Sequence, residues 1–164
     1  MRFLILLSFF ISSLGFSLTD TCFSPESNCS DKLVAFITTA QKNLDIAIYT
    51  LTDKEIYTAI SVASKRGVAV RIIADKQQAL TKYSLISSLK QQGIAVRYGN
   101  QTGIMHNKFT IVDGLKLETG SFNYTAAANR KNNENQLYLD IPDVVQKYQA
   151  RFNTIWQTAD LKEK

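Results

Sequence analysis

The sequence predicts an α/β fold with a mixed, mostly parallel β-sheet sandwiched between helices. In the first half of the chain, helix-like and strand-like runs of apolar residues alternate, which is typical of parallel strands joined by helices. In the second half, two short apolar runs flank Asp113-Gly114, a strong signal for an antiparallel hairpin. The length of 164 residues and the hydrophobic content of 45% suit one domain with a substantial core.

The elements of the first half follow from periodicity and from capping residues. A helix begins at Ser30-Asp31, with apolar residues at the spacing of one helical face. Asp53 is placed to cap a second helix, which ends at Gly67. The next run is almost wholly apolar, as expected for a strand buried on both faces. The predicted order is a helix over 30–42, a strand over 44–49, a helix over 53–66, a strand over 68–74, a helix over 84–91 and a strand over 94–98.

The second half predicts the hairpin and then a return to helix. Strands are expected over 108–112 and 116–119, followed by a turn at 120–123 and a short helix over 124–129. A further strand is expected over 136–140. Pro142 then starts the last helix. Its apolar face is formed by Val145, Tyr148, Phe152 and Ile155.

The N-terminal segment differs from the rest of the chain. Met1-Arg2 gives a basic start, 3–14 are almost wholly apolar, and small residues follow. This pattern predicts a secretory signal over 1–17, with cleavage after Ser17. An uncleaved anchor is the alternative, because the apolar stretch is only slightly shorter than the ~20 residues that span a bilayer. Both readings place a single domain, 18–164, outside the reducing cytoplasm: periplasmic, secreted or held at the membrane by the anchor.

Export gives a meaning to Cys22 and Cys29, the two cysteines of the chain. In an oxidising compartment they are best interpreted as a disulfide that closes a small loop near the mature N-terminus. A metal site is disfavoured, since two cysteines and one distant histidine do not supply four zinc ligands. Without residues 1–17, basic residues outnumber acidic ones by four, a mild bias towards polyanions that identifies no partner by itself.

His106 is the only histidine, and it opens the pattern H-x-K-x4-D-x6-G-S-x-N. In an extended strand, the side chains of His106 and Lys108 leave the same face about 6–7 Å apart. An imidazole can attack phosphorus while an ammonium holds the non-bridging oxygens. A lone histidine is usually a surface or core residue, so the hypothesis depends on the whole pattern. We interpret the pattern as a site for a phosphodiester.

The remaining positions of the pattern lie on two turns. Ser121 and Asn123 can donate hydrogen bonds to the same phosphate, and Gly120 would let the backbone approach a bound oxyanion closely. Alone, these residues also fit an ordinary turn. Asp113 lies five residues beyond Lys108, an odd offset that turns it away from the site. An orienting or turn-forming role is therefore favoured for Asp113 over proton transfer.

Taken together, these positions resemble the HKD signature of the phospholipase D superfamily, which occurs once in this chain. Residues 46–49, 63–68 and 71–75 also resemble the first half of these proteins, so that the similarity covers 22–158. Size and the segment 22–25 are most similar to the small, exported bacterial Nuc-type endonucleases. Glu134 matches an acidic residue that hydrogen-bonds the active-site histidine in these enzymes.

The resemblance implies a phospholipase D-like fold and a metal-independent phosphodiester hydrolase without a cofactor. Family members need two histidines: one attacks phosphorus, and the other protonates the leaving oxygen. One motif per chain therefore implies an obligate homodimer that brings two copies of His106 to one site. Glu134 would hold the imidazole in its working tautomer. The implied catalytic residues are His106, Lys108, Asp113 and Glu134, and the implied substrate-binding residues are Lys108, Gly120, Ser121 and Asn123.

Three functions remain open at this stage. The favoured one is an exported nuclease acting on DNA, and on RNA in addition if the site accepts it. The second is a phospholipase D or a phosphatidyl-transferring enzyme at a membrane surface. An uncleaved N-terminal anchor would favour this function. The third is a nucleic-acid-binding module, disfavoured because every matched catalytic position is intact. Tyr83, Tyr98 and Tyr124 could line a substrate groove or simply pack.

Overall fold

A seven-stranded β-sheet with helices on both faces runs through the residues that the computed structural model describes, 19–99 and 103–159. The strands are β1 (Thr19–Ser24), β2 (Asn43–Ile48), β3 (Ala69–Ala74), β4 (Ala95–Tyr98), β5 (Lys108–Val112), β6 (Lys116–Gly120) and β7 (Glu134–Leu139). The helices are α1 (Cys29–Thr38), α2 (Lys54–Lys65), α3 (Lys76–Ala79), α4 (Ile86–Gln91), α5 (Ala126–Arg130) and α6 (Pro142–Thr158). Every helix and strand predicted from the sequence is present; β1 and α3 were not predicted.

The mixed α/β fold is confirmed, but the expectation of a mostly parallel sheet is wrong. The strand order is β1-β7-β6-β5-β2-β3-β4, and four of the six pairings are antiparallel. Only β2, β3 and β4, which are joined by helical crossovers, run parallel. Antiparallel pairings outnumber parallel ones because β5 runs antiparallel to β2, and because β1 adds a further antiparallel pairing with β7.

Local chemistry explains where α2 begins and ends and where α1 begins. The side chain of Asp53 accepts hydrogen bonds from the backbone N–H groups of Glu55 (2.9 Å) and Ile56 (3.1 Å), so that it caps α2 as predicted. Gly67 follows α2 with a φ of 92°, a conformation that glycine adopts without strain. Asn28 caps α1 in a similar way, through the backbone N–H of Asp31.

The sheet separates two apolar layers. Phe109 and Ile111 alternate with Val112 along β5, and they pack beneath α6 against the fully buried Phe152. Val112 faces the other layer, which lies under α1, α2 and α4. Burying a side chain such as Phe152 contributes about 1.5–3 kcal/mol, so both layers stabilise the strand that carries Lys108.

The predicted disulfide is confirmed. Cys22 in β1 bonds to Cys29, the first residue of α1, with their Cα atoms 5.7 Å apart. This bond indicates a non-reducing compartment. The predicted signal or anchor over 1–17 lies outside the described residues. Across 19–99 and 103–159, no helix has the length and apolar character needed to cross a membrane.

Candidate active site

Apart from Asp113, the polar residues of the sequence pattern lie at one edge of the sheet, the edge where β2, β3 and β4 end. Lys108 opens β5 and is in register with Ile48 at the end of β2. Gly120 ends β6, and Glu134 begins β7. Because β2 and β5 are antiparallel, the end of one strand meets the start of the other. The carboxyl ends of parallel strands are a common place for ligand sites, and this edge contains those of β2, β3 and β4.

Lys108 is 6% exposed, although it lies at the edge of the sheet. Its Nζ donates a hydrogen bond of 2.8 Å to the backbone oxygen of His106. Burial lowers the pKa of Lys108 below its usual range, while the carboxylate of Glu134 acts in the opposite direction. The ammonium is therefore partly desolvated, which strengthens its attraction for a bound anion.

His106 lies just before β5 and is exposed. Its ring meets that of Tyr49 edge-on, with a centroid separation of 4.6 Å and an interplanar angle of 63°. Among the described residues, no side chain hydrogen-bonds to either ring nitrogen. The imidazole is thus oriented by packing and keeps both nitrogens available to a ligand or a second protein chain.

Tyr49 is a site residue that the sequence did not reveal. Its ring also lies under the ammonium of Lys108, with 5.1 Å between Nζ and the ring centroid. The side chain thus contacts both reactive groups of the pattern. Its position at the carboxyl end of a parallel strand was the available signal, since such ends commonly line ligand sites.

Glu134 binds Ser121 rather than the imidazole in this structure. Its Oε2 accepts a short hydrogen bond from the hydroxyl of Ser121, and its Oε1 accepts one of 3.0 Å from the amide of Asn132. Ser121 Oγ also accepts the backbone N–H of Asn135 at 3.1 Å. The carboxylate is therefore fixed between two neighbours, where it acts electrostatically on Lys108.

Asn123 is held at the site by the backbone of the next residue. Tyr124 N–H donates to the carbonyl of Thr50 at 3.0 Å, and the Tyr124 carbonyl accepts from Thr52 and Asp53 at 2.9 and 3.0 Å. These bonds attach the turn after β6 to the segment after Tyr49. Within the described part of the chain, the side-chain Oδ1 of Asn123 is buried without a partner.

Gly120 has a packing reason to be glycine. A Cβ atom at this position would overlap the backbone oxygen of Asn135 on β7. The close approach predicted for a bound oxyanion is thus made by a neighbouring strand, and the substrate-binding role of Gly120 stays a prediction.

Asp113 lies at the opposite edge of the sheet. It occupies the hairpin turn with a φ of 55°, and its carboxylate accepts backbone N–H groups from Gln41, Lys42 and Asn43 at 2.7–3.2 Å. Burial tends to raise the pKa of Asp113, but these hydrogen bonds outweigh it and hold the pKa below its usual range. The structure does not bring Asp113 to the other site residues, and its contacts fit the orienting role.

A buried polar cluster lies beneath the site. Glu118 is fully buried; its Oε2 accepts a hydrogen bond of 3.1 Å from the hydroxyl of Tyr124, which also pairs with Thr110 at 2.5 Å. Complete burial raises the pKa of Glu118 to about 8, partly opposed by the Tyr124 hydroxyl. Tyr124 is therefore a core residue rather than part of a groove.

The site has the groups needed to bind and attack an anionic ester. An exposed imidazole, a desolvated ammonium and a fixed carboxylate lie at one edge, and amide and hydroxyl groups accompany them. No group of three or more His, Cys, Asp or Glu side chains that could hold a metal ion occurs within 19–99 and 103–159.

Comparison with known proteins gives concordant matches. The sequence model of the family described as "Cardiolipin synthase, PLD-like domain" matches residues 33–156. A mitochondrial cardiolipin hydrolase of Xenopus tropicalis is 35% identical over 142 residues, which are 87% of this chain and 64% of that protein's length. A phospholipase D of Rickettsia conorii is 36% identical over 138 residues, covering 84% of this chain and 69% of that protein.

A solved structure matches over nearly the whole described region. The phospholipase D family member Nuc from Salmonella typhimurium superimposes with a TM-score of 0.83 at 28% sequence identity. The alignment covers 88% of this chain and 97% of that chain. Size and fold therefore agree with Nuc, whereas this chain spans about two thirds of the length of the cardiolipin hydrolase.

Proposed function

Because the chain belongs to the phospholipase D-like family, we propose that it is a metal-independent phosphodiester hydrolase that cleaves DNA internally, with RNA as a second substrate to be tested. The observation that carries the proposal is that the exposed imidazole of His106 and the partly desolvated ammonium of Lys108 contact the same ring, that of Tyr49. A nucleophile that is open to solvent, with a positive charge next to it, suits an anionic diester.

The proposed reaction needs two subunits, since the chain has one histidine. A ring nitrogen of His106 attacks phosphorus; a phosphorus–nitrogen bond forms as the bond to the leaving oxygen breaks. His106 of the partner subunit protonates that oxygen. Water then attacks phosphorus, the same partner imidazole takes the water's proton, and the phosphorus–nitrogen bond breaks to release the phosphate monoester and restore His106.

Lys108, Asn123 and Glu134 support these steps. The Lys108 ammonium would hold the non-bridging oxygens, where charge accumulates, and thus supplies the positive charge that a metal ion supplies in other phosphoryl-transfer enzymes. The Asn123 amide would be a further donor to the same oxygens. Glu134 and Ser121 are the candidates for orienting the imidazole once two subunits are together.

A nucleic-acid substrate is supported by the sequence resemblance to the Nuc-type endonucleases, with which the size and fold agree, since the alignment covers 97% of the Nuc structure. The second candidate substrate is a phospholipid. It is favoured by relatives named cardiolipin hydrolase and phospholipase D. The same residues would serve both, since the reacting group is a phosphodiester in each case.

The experiment measures degradation of single- and double-stranded DNA, RNA and phospholipid vesicles by the purified protein in excess chelator. We expect DNA cleavage by the wild type, none by His106→Ala, and a loss of about 100-fold or more for Lys108→Ala. Lys116→Ala is the matched control, since Lys116 begins β6 at the opposite edge of the sheet. Vesicle hydrolysis without DNA cleavage would replace the nuclease proposal by the lipid one.

A further inference from the structure

One stretch of the chain is free of acidic residues. From 76 to 112 there is no Asp or Glu, while five basic residues occur: Lys76, Lys82, Lys90, Arg97 and Lys108. This stretch starts directly after β3 and runs through α3, α4 and β4 to the site. The mild net charge of the whole chain is thus unevenly distributed along the sequence, and this stretch carries the bias towards polyanions.

The segment between β3 and α4 is braced against the site. The carboxylate of Asp75 accepts the backbone N–H of Gln78 and that of Met105, the residue before His106, each at 3.0 Å. The hydroxyl of Thr50, next to Tyr49, donates to the side chain of Gln78 at 3.4 Å. These bonds fix α3, which directly precedes Leu80–Tyr83, beside the loop that carries His106.

Two large apolar side chains on this segment are turned to solvent. Tyr83 is 74% exposed and Leu80 is 63% exposed. The ammonium of Lys82 lies 5.7 Å from the centroid of the Tyr83 ring. The combination is an open aromatic ring with a cation beside it, on a turn that directly follows α3.

We propose that Leu80–Tyr83 is a docking surface for nucleic acid, in which an unpaired base stacks on Tyr83 and Lys82 meets an adjacent phosphate. This inference rests on the proposed nuclease function. An aromatic ring beside a basic residue is the pair that sequence-tolerant recognition of single strands uses, because every base has a face and every nucleotide a phosphate.

A membrane fits the same surface less well. Thr81 and Lys82 separate the two apolar residues and Ser84 follows them, so the exposed apolar area is confined to one leucine and one tyrosine. Lipid binding by a shallow surface scales with the apolar area that it buries. Stacking, in contrast, needs only one ring. In a duplex the bases already stack on each other, so the contribution of Tyr83 should be largest for single strands.

The test measures binding of a fluorescent single-stranded oligonucleotide by anisotropy, in a His106→Ala background that prevents cleavage. Tyr83→Ala should weaken binding about 10-fold or more. Tyr83→Phe should bind like the parent, since it keeps the ring. Leu115→Ala is the control, because Leu115 is similarly exposed, at 67%, on the hairpin at the opposite edge.

The outcomes separate this inference from the proposed function. Unchanged binding by Tyr83→Ala, or equal weakening in Tyr83→Phe, overturns the stacking surface even if the wild type cleaves DNA. If Tyr83→Ala loses binding to anionic vesicles but binds the oligonucleotide like its parent, the stacking surface is also overturned, and a membrane contact replaces it. If oligonucleotide binding depends on Tyr83 but the wild type cleaves no DNA, the binding surface is supported and only the nuclease proposal is overturned.

Discussion

Two opposing influences act on the ammonium of Lys108. Burial favours its neutral form, while the Glu134 carboxylate and the face of the Tyr49 ring favour its charged form. The proposed chemistry needs the charged form, because a neutral amine would not stabilise the phosphate oxygens. Tyr49 is therefore expected to position His106 and to keep Lys108 protonated.

Substituting Tyr49 tests this double contact. Tyr49→Leu keeps an apolar side chain but removes the ring, so we expect a loss of about 10-fold in kcat and an alkaline limb of the pH–rate profile that moves to lower pH. Tyr49→Phe retains the ring, so its kcat and the alkaline limb of its pH–rate profile should be like those of the wild type. The measurement is kcat as a function of pH. A Tyr49→Leu profile that is only scaled down, without a shift, would mean that the ring does not act on Lys108.

Glu118 predicts a pH dependence of stability. Its pKa, about 8 in the folded protein, lies above the ordinary value of 4.5. A raised folded pKa means that the folded state keeps a proton that the unfolded state has lost, so stability declines as pH rises from about 4.5 to about 8. Glu118→Gln should melt at a higher temperature than the wild type at about pH 8 and show a smaller decline from about pH 5.

Glu26→Gln provides the comparison, because Glu26 is exposed. Thermal melting across this pH range is the measurement. If the melting temperature of Glu118→Gln falls with rising pH as steeply as that of the wild type, the buried carboxyl group does not cause the loss of stability.

At the scale of elements, the β5–β6 hairpin is anchored through Asp113. Replacing Asp113 by alanine leaves three backbone N–H groups without their acceptor, and we expect a loss of about 1–3 kcal/mol in the free energy of unfolding. Asp113→Asn should lose less, because asparagine keeps an acceptor and tolerates the positive φ. Urea unfolding at neutral pH is the measurement, and equal midpoints for all three proteins would contradict the anchoring role.

The same contact weakens in acid. The pKa of Asp113 is held below its ordinary value of 3.8, so its contribution is present above that value and disappears as pH falls through the lower, folded pKa. The difference in stability between wild type and Asp113→Ala should therefore narrow at low pH.

Local sequence identified elements whose signal lies in their own residues. The capping by Asp53, the almost wholly apolar run of β3 and the Asp113-Gly114 turn could all be predicted. β1 was missed because four of its six residues are exposed and it is a strand only through pairing with β7. The strand directions were predicted wrongly for a similar reason. The residues of β5 carry no local signal for the strand with which β5 will pair or for the direction of that pairing.

The site was predictable as a set of residues but only partly as an arrangement. Spacing selected His106, Lys108, Ser121 and Asn123 as candidates, because they belong to one continuous pattern. The contact of Tyr49 with His106 joins positions far apart in the chain, and periodicity carries no information about it.

At the scale of the whole molecule, one histidine per chain makes assembly part of the proposed mechanism. Mixing equal amounts of wild type and His106→Ala under conditions of subunit exchange tests this directly. If each site needs both imidazoles, activity should fall to about a quarter of that of the same total amount of wild type, because only wild-type pairs are active. Independent sites would give about half, and that result would contradict the shared site.

Lys116→Ala mixed with wild type is the matched control and should leave activity close to that of the wild type. Size measurement of the same mixtures by light scattering shows whether dimers are present. A monomer with full activity would also contradict the shared site.

The placement of β1 has a consequence for the order in which the protein assembles. Its hydrogen-bonding partner, β7, is the last strand in the part of the chain that the structure describes, so the two meet only after most of the chain has been synthesised. Until then both edges of the first strand are unpaired, and unpaired edges promote aggregation. The bond between Cys22 and Cys29 needs only the first few residues of the domain, and it can therefore secure β1 to the start of α1 long before β7 arrives.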